Sequence, residues 1–169
     1  MLNALPRSNW NPLTAAHLLN RAGFGADPAT IARAAARSPA EVVDELLDFS
    51  TARDLGVPSW LSSAGVNRRP DRTAVRNLSE EERQKLQREQ RQLEGERLAE
   101  LRSWWLYRMR YSPCPLQEKL VLFWHGHFAT SMEKVRSAYC MYQQNQTLRT
   151  HAAGHWPTLV EQVAKDPAM

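Results

Sequence analysis

Asn11-Pro12, Asp27-Pro28 and Ser38-Pro39 each set a capping side chain directly before a proline. No other feature constrains the fold of this chain as much. An Asn, Asp or Ser oxygen accepts from the free N–H groups that open a helix. Proline suits the first helical position, where its missing N–H would have had no partner. Helices are therefore expected at 12–22, about 28–36 and about 39–48. The first carries Leu13, Ala16, Leu18 and Leu19 at helical spacing, and Gly23 and Gly25 supply a left-handed stop. His17 sits among those apolar residues and reads as a core histidine with satisfied hydrogen bonds. Gly23-Phe24-Gly25 lacks the strand and the spacing that a phosphate-cradling loop needs. The third helix should bury Val42, Val43, Leu46, Leu47 and Phe49.

The same grammar continues along the chain. Ser79 and Glu82 form a capping box that opens a long helix to about Tyr111. Its half at 80–100 is crowded with Glu, Arg, Gln and Lys, with Leu86, Leu93 and Leu101 as a thin apolar seam. A coiled-coil arm needs sustained heptads. These are missing, which favours a solvated helix held by neighbouring opposite charges. From Leu101 the helix turns apolar, with Trp104, Trp105 and Met109, and should enter the core.

Ser112-Pro113-Cys114-Pro115 closes that helix and starts one at 115–124, with Gly126 weakening or ending it. Gln117, Glu118 and Lys119 form its exposed start. Thr130 or Ser131 begins a new turn, a helix from about 135 to 153 follows, and Pro157 opens a last one through Ala164. Residues 50–77 hold Gly56, Pro58, Gly65 and Pro70 and read as an irregular loop or linker. No segment alternates like a strand. The expected fold is all-α, an irregular helical bundle with one long charged helix. Trp105, Leu120, Phe123, Trp124, Met141 and Leu148 are its expected core. Asp166-Pro167 repeats the cap signature two residues before the chain stops. On that ground residues 1–169 read as the N-terminal part of a larger helical domain, truncated at the C-terminus.

Charge narrows the partners. The net charge of +4 comes from 22 basic against 18 acidic residues, a mixed surface with Arg scattered among Glu. Nucleic-acid binding would want clustered Lys and Arg with aromatics between them, so no nucleic acid is expected. Cys114 and Cys140 match no metal spacing and read as free thiols. No run of about 18 apolar residues suggests a membrane span, and the first residues lack the pattern of a secretory signal. The compartment is not fixed by these features.

Chemistry is densest in LQEKLVLFWHGHFATS, residues 116–131. On a continuous helix His125 and His127 would point about 200° apart and share no ligand. An extended backbone after Trp124, which Gly126 permits, would turn both to one side. His151 could then supply a third nitrogen, and three protein ligands suit a divalent metal such as catalytic zinc. The competing reading makes the imidazoles structural groups bonded to backbone at a helix end. His151 and His155 have the i, i+4 spacing of a metal pair, but Gly154 between them ends the helix. Glu118 with Lys119, and Glu133 with Lys134, read as surface ion pairs. Asn145 and Arg149 share a helix face with His151 nearby and could hold an anion, although packing is the simpler use. No serine nucleophile elbow or Cys-His signature is present.

Five segments occur in one order: AAHLLNRAGFG at 15–25, WWxxRM at 104–109, PLQEKLVLFWHGHFATS at 115–131, QNQTLRTHAAG at 144–154 and the closing DPAM. Together they resemble the bacterial family catalogued as domain of unknown function 1800. The resemblance implies longer proteins that continue past DPAM with a segment rich in Asn, Glu and Arg. It also implies export, and a partner that is another exported uncharacterised protein with a sulfatase-like look. It carries no established activity. Ala153-Gly154-His155-Trp156 departs from the family pattern, which keeps His155 out of the candidate set. Two functions stay open. One is part of a metal-assisted or other hydrolase-like enzyme using His125, His127 and His151. The other is a non-catalytic helical binding or scaffold module acting with an exported partner.

Overall fold

The structure is a computed structural model that describes residues 5–52, 55–63 and 75–169. Among these residues it holds eight α-helices and no strand: α1 Pro12–Ala22, α2 Pro28–Ala35, α3 Pro39–Leu47, α4 Glu80–Tyr111, α5 Pro115–His127, α6 Met132–Val135, α7 Ala138–His151 and α8 Trp156–Ala164. The all-α expectation holds. Its helix starts are set by local chemistry. Asn11 Oδ1 accepts from the Leu13 and Thr14 amides at 2.9 and 3.2 Å, and Thr14 Oγ1 accepts from the Asn11 amide at 2.9 Å. Ser38 with Glu41 and Ser79 with Glu82 close the same reciprocal box. The loop expected over 50–77 lies partly outside the described residues. Within the described part, Ser59–Ser62 form a 3-10 turn that buries Trp60.

Gly126 does not end α5, which runs on to His127. An interior glycine costs only about 1 kcal/mol against alanine, and packing on α7 and α8 outweighs it. Trp124 Nε1 fixes this end by donating to Ala152 O at 2.7 Å. Gly23 corrects a second expectation. It is extended, with φ −146°, and the positive φ belongs to Gly25 at 114°. A Cβ at Gly23 would stand 3.1 Å from Leu19 O and 3.2 Å from Pro115 Cβ, so close approach of α1 to α5 explains the glycine.

Among the described residues three buried clusters hold the helices together. Val121, Leu148, Ala152, Leu159 and Val163 join α5, α7 and α8. Trp60, Leu101, Trp104 and Ala138 join α4 to α7. Ala15, Ala34 and Val42 join α1, α2 and α3. Of the expected core, Leu148 is fully buried, while Trp105, Leu120, Trp124 and Met141 are partly buried against these clusters. Phe123 is 58% exposed, because it lies two residues from fully buried Val121 and so on the far side of α5. His17 is exposed for the same reason, two residues from buried Ala15, and is not a core histidine. On α4 the described residues before Glu94 are mostly exposed. The helix docks from Glu94, which accepts from the Ala138 amide at 2.6 Å, and Arg97 lies 5.7 Å above the Trp60 ring. Docking thus begins about two turns before Leu101.

Candidate functional site

A buried charge network fixes the three helices that build the site. Glu118, expected at the surface beside Lys119, is fully buried, because it sits one helical turn before Val121 on the same face of α5. Its carboxylate accepts from Arg108 Nε of α4 at 2.9 Å, and from Arg149 Nε and Nη2 of α7 at 2.9 and 2.8 Å. Burial works to raise the Glu118 pKa, but Arg149 and Arg108 together bring it below the usual carboxylate value. Both guanidiniums also lie over the Trp104 ring, at 5.3 and 5.2 Å. Arg149 is thereby committed to packing and not to an outside anion. Glu133 and Lys134 make no ion pair with each other, since adjacent helical residues point apart.

Pinned in this way, α4, α5 and α7 enclose a cleft of about 280 Å³. One face of α4 supplies Leu98, Leu101, Arg102 and Trp105, at the i, i+3, i+4, i+7 spacing of a single stripe. His125 enters from the end of α5, its ring edge-on to Trp105 at 5.3 Å and 90°. Burial pulls the His125 pKa below its ordinary value, so the imidazole is neutral at pH 7. Thr130 and Ser131 reach the cleft through the turn after α5, where Ala129 adopts a φ of +31°. That angle is costly for a residue with a Cβ, and such strain is concentrated at functional sites. Thr130 is held there by its hydroxyl, which donates to Gln144 Oε1.

Two buried groups in the wall lack partners. Asn145 of α7 is 5% exposed and its Oδ1 accepts no hydrogen bond, and Trp105 Nε1 is likewise buried and unpaired. Among the described residues no Asp or Glu lines the cleft, and Arg102 brings a guanidinium to it.

The three histidines face three different places. His125 lines the cleft. His127 is exposed among Phe123, Phe128 and Trp156, stacked 6.2 Å from Phe123 at 15°. His151 lines a separate open groove on α7. Continuity of α5 through Gly126 is the reason that His125 and His127 diverge. Among the described residues no group of three His, Cys, Asp or Glu side chains is placed to hold a metal. Arg102 and Trp105 were missing from the expected site, although their shared stripe with Leu98 and Leu101 is readable on the sequence. The sequence groups Asn145 with Arg149 and His151, and the fold sets it in one cleft with His125.

An all-α domain built around a buried Arg-Glu-Arg network, with a cleft of mixed apolar and polar lining beside it, is the class that fold and site define. The chain belongs to the family described as Protein of unknown function (DUF1800), whose model matches residues 17–169. No curated protein and no solved structure matches it. Among the described residues no helix is long and apolar enough to cross a membrane.

Proposed function

We propose that this chain is a helical binding domain whose cleft takes a small carboxylic acid bearing a hydroxyl or amide donor. Asn145 carries the reading. A buried amide oxygen without a partner costs about 1–3 kcal/mol, and a ligand donor would relieve that cost. Arg102 and the unpaired Trp105 N–H supply donors for a carboxylate. Leu98, Leu101, Met132 and Met141 form an apolar wall for the ligand body. The volume, about 280 Å³, lies at the small end for ligand pockets.

Mandelate combines these features and is the probe. Isothermal titration should give binding that weakens about tenfold or more in Arg102→Ala and in Asn145→Ala, the loss of one charge-assisted contact or one buried pair. Equal affinity in both variants, or no heat with mandelate, phenyllactate and lactate alike, contradicts the reading.

A hydrolase reading keeps one supporting observation. His125 is held neutral beside Thr130 and Ser131, the protonation state that a general base needs. Turnover of p-nitrophenyl acetate that disappears in His125→Ala, with folding intact, would favour it over binding alone. The metal-assisted form has no geometric support, because His125, His127 and His151 do not converge.

A further inference from the structure

α7 presents a second polar face that shares no residue with the cleft. Tyr139, Gln143, Gln146, Thr150 and His151, with Gln162 of α8, line an open groove of about 400 Å³. From Tyr139 to Thr150 the α7 positions advance by four, three and four residues and form one stripe about 16 Å long at 1.5 Å per residue, and His151 flanks its end. Among the described residues no Asp, Glu, Lys or Arg lines this groove. The contrast within the molecule is sharp, because the exposed face of α4 is built largely from Glu, Arg, Lys and Gln.

The hydrogen-bonding state of the stripe is equally specific. The side chains of Tyr139, Gln143, Thr150, His151 and Gln162 make no hydrogen bond to a described residue. Gln146 is already engaged at both ends of its amide: Nε2 donates to the Tyr142 hydroxyl at 3.1 Å and Oε1 accepts from Arg149 Nη1, so it braces the floor of the groove. The Thr147 hydroxyl donates to buried Asp166 at 3.0 Å and braces the groove against the segment after α8. What remains is the Gln143 and Gln162 amides, the Thr150 hydroxyl and the His151 imidazole, each able to donate or accept, with the half-buried Tyr139 ring at one end.

We propose that this groove binds a short chain of uncharged sugars. Sugar hydroxyls donate and accept at each position and match side-chain amides and hydroxyls without needing charge. The C–H face of a sugar ring packs on an aromatic ring such as Tyr139. A nucleic acid would call for Lys or Arg along the line. A peptide helix would call for apolar pockets at helical spacing, and the stripe offers neither.

The test is a titration of the full chain with cellobiose, maltose, N,N′-diacetylchitobiose and cellotetraose, followed by backbone amide NMR. The expected result is saturable shifts along α7 and α8 with a Kd of about 1 mM for at least one disaccharide. The affinity should be unchanged by added salt, because the ligand is uncharged. Gln143→Ala combined with Thr150→Ala should weaken binding about tenfold. Gln162→Ala, on the other helix, should also weaken it, while Arg102→Ala in the cleft leaves it unchanged. Thermal melts of each variant establish that it folds. No shift with any of the four sugars overturns the proposal. So do shifts confined to the cleft, or affinities unchanged in the groove variants.

Discussion

Arg149 grips Glu118 through two parallel hydrogen bonds, Nε at 2.9 Å and Nη2 at 2.8 Å, in a place where the carboxylate has no contact with solvent. Arg108 shares the same Oε1, so two cations lie on one anion. A buried pair is weak evidence for stability in itself, but removing one member strands the rest. Glu118→Gln should therefore cost about 3–5 kcal/mol in urea unfolding, the range for an uncompensated buried charge. A loss below about 1 kcal/mol would mean that the guanidiniums are solvated and the network is not buried.

The same groups set an acid-side pH dependence with two windows. Glu118 has a folded pKa below its ordinary 4.5, so its stabilisation is complete above that value and is lost as pH falls through the lower folded value. His125 has a folded pKa below its ordinary 6.5. Between the two values the unfolded chain binds the proton first, so stability declines as pH falls below about 6.5. Urea midpoints measured from pH 8 to about pH 2 should fall in both windows. His125→Gln should flatten the upper decline and leave the lower one, and an unchanged upper decline in that variant would contradict the burial of His125.

Two glycine replacements separate space from helix continuity. At Gly126 an added Cβ meets nothing within 4 Å, and the residue lies inside α5. Gly126→Ala should raise stability by about 1 kcal/mol through helix propensity alone. At Gly23 the Cβ would press on Leu19 O and Pro115 at 3.1 and 3.2 Å, and Gly23→Ala should cost about 1–3 kcal/mol. Thermal melts of both variants check this. A destabilised Gly126→Ala would show that α5 breaks there, which would reopen a shared face for His125 and His127.

What was legible in the sequence was local. The starts of α1, α2, α3 and α4 follow from a cap and a proline or glutamate within three residues, and the structure places them there. What was not legible depends on partners far along the chain. Glu118 is ten residues from Arg108 and 31 from Arg149, so no local pattern shows that its neighbour Lys119 is not its partner. Phe123 and His17 were misplaced because residue type was weighed above helical phase. Both stand two positions from a fully buried residue and face outward. The cleft was half-readable. His125, Thr130 and Ser131 lie within the run that drew notice, but Arg102 and Trp105 come from α4 and meet them only through the packing that Glu118 anchors.

A carboxylic acid bound in the proposed way lies against Trp105 and Asn145. The most direct measurement is a titration of ¹⁵N-labelled protein with mandelate, following the Trp105 indole N–H and the Asn145 side-chain amide. Trp105→Phe and Asn145→Ala assign the two signals. Both signals should move together and saturate at one Kd, and in Arg102→Ala the same shifts should need about tenfold or more mandelate. Saturable binding that leaves the Trp105 indole and the Asn145 amide unmoved would contradict it.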